Sequence, residues 1–172
     1  MTVKPDVMHG DCRKVVPELV EKHGKFDFIF VDPTFNDGGN DRCPYDVEGY
    51  RLFINECVEI LWKACNGVIA LHGTDELAEN YLNIAKELGM VERIAWMNWY
   101  YPPKQNRTAT WNKDRWHCLV YAKNNYWTWF PQEVMVNHID GKRLPGTTWG
   151  ITEEDSFPVT IRSLCLQVWC ML

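Results

Sequence analysis

The stretch of the sequence best suited to chemistry is FIFVDPTF, residues 28–35, in which a carboxylate directly follows an apolar run. Such a run predicts a strand buried in a sheet. A buried carboxylate without partners is costly, so we expect Asp32 to meet a ligand or another polar group. Pro33 restricts Asp32 to an extended backbone, and Phe35 adds a flat apolar face. These groups suit a planar ring with an exocyclic amino group, because the carboxylate and the neighbouring carbonyl can accept its two N–H bonds.

Two other predicted strands also end in small or polar residues, and ligands of open α/β sheets bind outside the carboxyl ends of the strands. The three strand ends are Gly10-Asp11, Asp32-Pro33 and His72-Gly73. The glycines are interpreted as ordinary turn residues. The histidines interpreted as structural are His9, His72 and His117. A helix N-cap is a poor explanation of Asp32, because the residues that follow it, PTFNDGG, do not continue as a helix.

The elements that must position Asp32 alternate between strand and helix. Periodicity and turn signals predict, in order, a strand at DVMHGD, a helix at CRKVVPELVEKHG, a strand at KFDFIFVD, a helix from about Val47 to Ala64, a strand at NGVIALHG and a helix at TDELAENYLNIAKELG. Tyr50 and Phe53 lie on the apolar face of the second helix and are predicted to be core residues. This alternation is typical of an α/β domain with parallel strands. MVERIAWMNWY and RWHCLVYAK then predict two aromatic strands joined by a long loop.

Composition places the chain among ordinary globular proteins. Its 172 residues, 46% hydrophobic and 24% charged, predict a single domain over residues 1–172. The net charge of −5 argues against non-specific nucleic-acid binding by the molecule as a whole, although not against a local basic site. Seven cysteines without a C-x-x-C spacing indicate reduced thiols in a cytoplasmic protein rather than a metal site. No apolar run approaches the ~20 residues of a membrane span.

The order of these motifs resembles one family. This family is similar in its amino-terminal half to the stretch GDCRKVVPELVEKHGKFDFIFVDPTFN. It consists of amino-methylating DNA methyltransferases, as in restriction–modification systems, whose catalytic Asp-Pro-Pro-Tyr/Phe motif precedes the cofactor motif. EGYRLFINECVEILWKACNGVIALHG resembles the family's next helix and strand. RWHCLVYAKN resembles its His-Glu strand, with Cys118 where glutamate is common, and GTTWGI its Asp-Val-Trp segment. The resemblance covers roughly residues 7–151 and implies an α/β, Rossmann-like S-adenosylmethionine-dependent methyltransferase fold with a mostly parallel sheet and an antiparallel aromatic hairpin.

The resemblance implies that Asp32, Pro33, Thr34 and Phe35 are catalytic and that S-adenosylmethionine binds at Asp11 and Asp32. Hydrogen bonds from the target amino group to the Asp32 carboxylate and the Pro33 carbonyl would favour a tetrahedral nitrogen whose lone pair can attack the methyl group. Members that begin this motif with Asp mostly methylate adenine, so adenine-N6 is expected and cytosine-N4 is the alternative. Thr34 replaces the family's second proline, and losing such a restraint costs ~0.4–1 kcal/mol.

The expected partner is double-stranded DNA whose target base is flipped out of the helix. Residues 96–130 form the candidate DNA-contacting hairpin, because aromatic residues that can stack on bases alternate there with basic residues that can neutralise phosphates. The basic residues assigned to DNA binding are Lys104, Arg107, Lys113 and Arg115, and Lys123 belongs to the same basic set. A hairpin with packed aromatics and merely solvated charges is the alternative.

The family's cofactor motif, Asp-Pro-Phe-x-Gly-x-Gly, does not occur in the sequence. Its strand lies next to the Asp32 strand in the family, so a truncated fold would expose that edge. Residues 152–172 form an atypical tail, and covering of the exposed edge by its low-charge part, residues 157–172, is the alternative. The sequence leaves open a fragment, a frameshifted product or half of a split enzyme. A dimer or a complementing carboxyl-terminal fragment would complete the site. The non-enzymatic alternative is a remnant that binds DNA or a partner.

Overall fold

The computed structural model describes residues 7–34, 36, 45–100, 115–124, 136–138, 141–143, 147–150 and 165–170. At 136–138, 142, 143, 148–150 and 165–170 it describes the backbone only. Helices and strands alternate from residue 12 to residue 100, and the described elements after residue 100 are strands. The described helices are α1 (Cys12–His23), α2 (Val47–Ala64) and α3 (Asp75–Glu87). The described strands are β1 (Phe26–Pro33), β2 (Cys65–Gly73), β3 (Glu92–Tyr100), β4 (Arg115–Ala122), β5 (Val136–His138), β6 (Gly141–Arg143), β7 (Thr148–Gly150) and β8 (Cys165–Cys170).

Aspartate residues begin the first two helices. The Asp11 carboxylate accepts a hydrogen bond from the backbone N–H of Arg13, and that of Asp46 accepts one from Gly49. Such caps satisfy backbone donors that have no partner within the helix. Gly24 ends α1 in a left-handed conformation, with φ 83°, that costs a glycine little. None of the described helices is long and apolar enough to cross a membrane.

The main sheet has six strands in the order β7-β3-β4-β2-β1-β8. β1 pairs in parallel with both β2 and β8, and β3 pairs in parallel with β7. β4 is antiparallel to both of its neighbours, and Trp99 of β3 lies opposite Trp116 of β4. The predicted aromatic hairpin within a mostly parallel sheet is therefore confirmed for the strands β3 and β4.

All three helices contribute to a core on one face of the sheet. Strand residues there alternate with those on the other face, as the pleat requires. The residues of the helix-covered core include Ile29, Val31, Ile69, Leu71 and Leu119 from the strands and Val16, Tyr50, Phe53, Leu61 and Tyr81 from the helices. The predicted core positions Tyr50 and Phe53 are confirmed as buried. Ala70, Cys118 and Val120 form a smaller cluster on the opposite face, against which no described helix packs.

One predicted strand is absent. Residues Val7 to Gly10 do not form a strand, and Val7 and Met8 are exposed, because no described strand pairs with them. The edge of β1 that a truncated chain would expose is covered by the tail, since β8 pairs with Phe28–Pro33 and brings the backbone of Trp169 beside Asp32. Part of the tail 152–172 is therefore a strand of the main sheet.

Candidate active site

Asp32 and His72 meet where β1 and β2 end. The parallel register pairs Val31 with Leu71, so the next residues of both strands lie side by side at the carboxyl edge of the sheet. The Nδ1 atom of His72 lies 2.8 Å from Oδ1 of Asp32. The side chain of His72 is 6% exposed and that of Asp32 is 21% exposed. Among the described residues, His72 is the polar partner of the carboxylate, which remains partly exposed.

The bond between the two side chains defines where the histidine proton lies. An ionised carboxylate can only accept hydrogen bonds, so Nδ1 of His72 must donate to Oδ1 of Asp32. Among the described residues, no side chain or backbone N–H bonds the other carboxylate oxygen, Oδ2. Asp32 thus has one oxygen held by the protein and one available as an acceptor.

Aromatic rings surround the His72 imidazole. Phe30 stacks on it with a centroid distance of 6.1 Å, while Trp99 and Trp116 meet it edge-on at 5.8 and 5.4 Å. The two tryptophans lie opposite each other on β3 and β4, on the same face of the sheet as Asp32. The site therefore combines a carboxylate acceptor with neighbouring flat aromatic surfaces.

Cys118 lies directly opposite His72 in the pairing of β2 with β4. Burial, with a smaller contribution from the negative charge of Asp32, raises the pKa of the Cys118 thiol to about 12. The thiol stays protonated at neutral pH and is a poor nucleophile. Cys118 is therefore a small neutral side chain beside the paired histidine and aspartate.

Buried tyrosines from the helices hold the backbone of the site. Tyr50 of α2 donates its hydroxyl to the carbonyl of Thr34 at 2.7 Å, and Tyr81 of α3 donates to the carbonyl of His72 at 3.0 Å. Gly73 has no room for a side chain, since a Cβ atom there would lie 2.7 Å from Cβ of Leu77. The helices therefore fix the ends of both strands that carry the paired side chains.

The structure brings together only part of the predicted catalytic motif. Asp32 and Pro33 are the last residues of β1, and Pro33 is buried. Thr34 follows with its carbonyl bound by Tyr50. The predicted stacking residue Phe35 lies outside the described residues. Asn36 donates to the carbonyl of Tyr45 at 3.3 Å, which joins the two ends of the segment 37–44.

The predicted cofactor ligand Asp11 is bound by a neighbouring cation. Its two carboxylate oxygens accept hydrogen bonds from the Arg13 side chain at 2.8 to 3.1 Å. These bonds hold the pKa of Asp11 below its ordinary value. Arg13 also bonds Glu56 at 2.7 Å and lies over the ring of Phe53. Asp11 is 30% exposed, so a ligand hydroxyl could reach it only beside the guanidinium or in its place.

The predicted DNA-binding residues are only partly described. Lys104, Arg107 and Lys113 lie outside the described residues. Arg115 is exposed at the start of β4, and it lies at the Asp32 edge because β4 runs antiparallel to β2.

Lys123, which belongs to the same basic stretch of sequence but was not assigned to DNA binding, makes contacts within the fold. Its ammonium donates to the carbonyl of Trp62 at 2.7 Å and lies 4.0 Å from the centre of the Trp62 ring. Burial lowers the pKa of Lys123. The length of β4, roughly 25 Å at about 3.3 Å per residue, separates Lys123 from Arg115. Lys123 therefore belongs to the opposite edge of the sheet.

His72 is the site residue that sequence reasoning missed. It was interpreted as structural, although His72-Gly73 had been placed at the carboxyl end of a strand parallel to the Asp32 strand. The available signal was that two parallel strands next to each other bring their last residues together.

Among the described residues, no three histidine, cysteine, aspartate or glutamate side chains lie close enough to hold a metal ion.

No protein-family model matches the sequence, and no curated protein matches it. The fold is nevertheless similar to that of two solved structures. The crystal structure of M1.HpyAVI, a DNA methyltransferase, is similar with a TM-score of 0.53 and 15% identity, covering 86% of this chain and 66% of that one. The crystal structure of the M1.HpyAVI–SAM complex has a TM-score of 0.51 and 14% identity, covering 90% and 70%. The chain spans about two thirds of the length of these proteins.

Proposed function

We propose that the chain is the part of a DNA methyltransferase that binds the target base and that it directs methyl transfer from S-adenosylmethionine to the exocyclic amino group of adenine. The observation that carries this proposal is the half-buried Asp32 carboxylate, bound by His72 through Oδ1 and with Oδ2 available at the carboxyl edge of the sheet. The methyltransferase-like fold and the bound cofactor of a structural neighbour support it.

The target base is held by acceptors and flat surfaces. One amino N–H donates to Oδ2 of Asp32, and the second donates to the backbone carbonyl of Pro33, in line with the Asp-Pro motif. Stacking on an aromatic ring contributes about 1–3 kcal/mol per base, which offsets part of the cost of flipping the base out of the duplex. Phe35 is the proposed stacking residue, with Trp99 and Trp116 as neighbouring walls.

The residues of this chain act on the amino nitrogen. Its lone pair is delocalised into the ring of the base, and two accepted hydrogen bonds favour a more tetrahedral nitrogen whose lone pair is available. S-adenosylmethionine supplies an electrophilic methyl group. The methylated nitrogen is positively charged and acidic, and its surplus proton passes to Oδ2 of Asp32. Alignment of such reactants can contribute about 7–11 kcal/mol to lowering the barrier.

The described residues fit the cofactor only in part. Asp11 is the proposed ligand for a pair of ribose hydroxyls, but both of its oxygens accept hydrogen bonds from Arg13. Binding therefore requires that Arg13 share or release the carboxylate. The described residues at the Asp32 edge provide no second anchor for the cofactor.

DNA is proposed to lie across the edge where β4 begins. Arg115, exposed there, together with Lys104, Arg107 and Lys113, would neutralise phosphates on either side of the flipped base. Such contacts position the duplex without reading its sequence.

The test is methyl transfer from labelled S-adenosylmethionine to unmethylated genomic DNA by the purified chain, followed by digestion to nucleosides. Label on N6-methyladenine is the expected result. Label on N4-methylcytosine would identify cytosine instead of adenine as the target base. If no label appears, a separately added carboxyl-terminal half of a similar methyltransferase tests whether the chain supplies the base site of a two-part enzyme. No label in either case would refute catalysis.

The catalytic control is Asp32→Ala, measured for both transfer and DNA affinity. Transfer should be abolished while DNA affinity remains nearly unchanged, because phosphate contacts supply most of the affinity for DNA. An equal loss of both would contradict the role of Asp32.

A remnant that binds DNA or a partner without catalysis is the second candidate function. The occupied carboxylate of Asp11 is the observation that favours it. Isothermal titration of the chain with S-adenosylmethionine separates the two, since a remnant without a cofactor site should give no heat of binding.

A further inference from the structure

We infer that His72 is a positioning residue, which holds the Asp32 carboxylate in the orientation needed to accept a hydrogen bond from the target amino group. The inference rests on the proposed function, because it assigns the target amino group to the remaining oxygen of Asp32. It begins from the 2.8 Å bond between Nδ1 of His72 and Oδ1 of Asp32. Neither the resemblance to methyltransferases nor the sequence pattern had assigned a role to this histidine.

The bond divides the two oxygens of Asp32 between the protein and the ligand. With Oδ1 accepting from Nδ1, the plane of the carboxylate is fixed relative to the imidazole ring. Oδ2 is then the oxygen available to the target base. A carboxylate without this partner can rotate about two side-chain bonds, and a rotation of either displaces the acceptor from the amino nitrogen.

The imidazole can fix the carboxylate because its own position is fixed. The side chain is 6% exposed, with Phe30 stacked on it and Trp99 and Trp116 meeting it edge-on. Its backbone carbonyl is held by the fully buried hydroxyl-bearing side chain of Tyr81. Packed neighbours of this kind transmit a defined geometry to the group that reacts.

The chain also offers a matched control. His117 is buried on the neighbouring strand and bonds the Asp75 carboxylate at 2.6 Å through Nε2. Its other nitrogen accepts from the indole N–H of Trp96 at 3.0 Å. A histidine of similar burial, paired with a more exposed aspartate, thus occurs on the other face of the sheet, away from Asp32. If His72 acts on methyl transfer through its contact with Asp32, His117 should have no corresponding effect on methyl transfer.

The experiment compares His72→Phe, His72→Asn and His117→Phe in the methyl-transfer assay, with the folded fraction of each variant measured by circular dichroism. Phenylalanine keeps the ring without the donor, whereas the amide of asparagine places an N–H near the position of Nδ1. Loss of a residue that orients a metal ligand typically costs about 10–100-fold in affinity or activity, and we apply the same range to the orientation of Asp32. We expect kcat to fall by that factor in His72→Phe with KM for DNA unchanged, and to recover at least tenfold in His72→Asn.

The control His117→Phe should retain kcat per folded molecule. Unchanged kcat in folded His72→Phe, or an equal fall in His117→Phe, would overturn the inference. So would a rise in KM for DNA without a change in kcat, because that result would place His72 in DNA binding.

A second measurement does not depend on activity. Long-range proton–nitrogen NMR of the chain should show the His72 proton on Nδ1, and the Nδ1 resonance should shift in Asp32→Ala but not in Asp75→Ala. A proton on Nε2 alone would overturn the positioning role. If the chain transfers no methyl group but the Nδ1 result holds, the proposed function fails while the paired geometry stands.

Discussion

Two histidine–aspartate pairs lie at the same edge of the sheet but on opposite faces. His72 of β2 bonds Asp32, and His117 of β4 bonds Asp75 of α3. The register places His117 opposite Gly73 and Cys118 opposite His72. Since neighbouring residues of a strand point to opposite faces, His117 faces the helices while His72 faces the other way. The two histidine side chains are 6% and 10% exposed.

The pairs differ in how completely their polar atoms are used. His117 accepts from Trp96 at Nδ1 and therefore donates to Asp75 at Nε2, so both ring nitrogens join elements of the fold. His72 carries its proton on Nδ1 instead. Asp75 stands in the first turn of α3, where a negative charge stabilises the helix. Asp32 lies at the end of a strand, and its Oδ2 atom has no hydrogen-bond partner among the described residues. The location of the carboxylate, not the presence of a histidine partner, distinguishes a candidate site from a structural tie.

The largest expected difference between the pairs is in catalysis. Asp32→Asn keeps an oxygen for His72 but replaces one acceptor by an amide, so it cannot take up the proton. We expect methyl transfer to fall about 10²–10⁴-fold, whereas Asp75→Asn should leave the rate per folded molecule unchanged. Single-turnover transfer measures both. Comparable losses in the two variants would remove the functional distinction between the pairs.

The next effect is on stability and should belong to the His117 pair. Trp96→Phe removes the indole donor and leaves Nδ1 of His117 without that bond, which costs about 1–3 kcal/mol. Urea unfolding measures the loss. An unchanged free energy of unfolding in Trp96→Phe would show that the helix-side pair does not stabilise the fold.

The stability of the protein should depend on pH through Cys118, which lies near Asp32. Cys118 has a folded-state pKa of about 12 against 9.0 for an ordinary thiol, through burial first and Asp32 second. Between these values the unfolded chain loses a proton that the folded chain keeps, so stability should fall as pH rises. One such proton changes stability by about 1.4 kcal/mol per pH unit. The free energy of unfolding, measured with urea at several pH values in this range, should fall less steeply with pH in Cys118→Ala than in the unchanged chain. An unchanged slope would contradict the raised pKa.

The smallest expected effect concerns the DNA edge. Arg115→Ala should weaken DNA binding uniformly across sequences and reduce the slope of affinity against salt by about 1, because it removes one phosphate contact. Lys123→Ala removes an equal charge at the far edge and should leave that slope unchanged. Fluorescence anisotropy at several salt concentrations measures both. A smaller slope for Lys123→Ala would place DNA elsewhere on the molecule.

Much of the fold was predictable because local patterns agreed with it. The bounds Val47–Ala64 of α2 followed from helical periodicity, and the structure confirms them. DVMHGD was wrong as a strand, because apolar residues next to a turn signal do not supply a partner strand. The long aromatic loop of residues 101–114 lies outside the described residues, so the DNA contacts proposed there stay predictions.

The sequence alone placed Asp32 at the end of a buried strand, because an apolar run followed by Asp-Pro defines both the strand and its end. It also predicted the aromatic strands β3 and β4 and the alternation of helices and strands before them. The side chains that meet Asp32 were known only from the folded chain. His72 lies forty positions away along the chain, and its contact depends on the parallel register of β1 and β2. Register and face arise from the packing of whole elements, so a single histidine in a sequence cannot reveal which carboxylate it will bond.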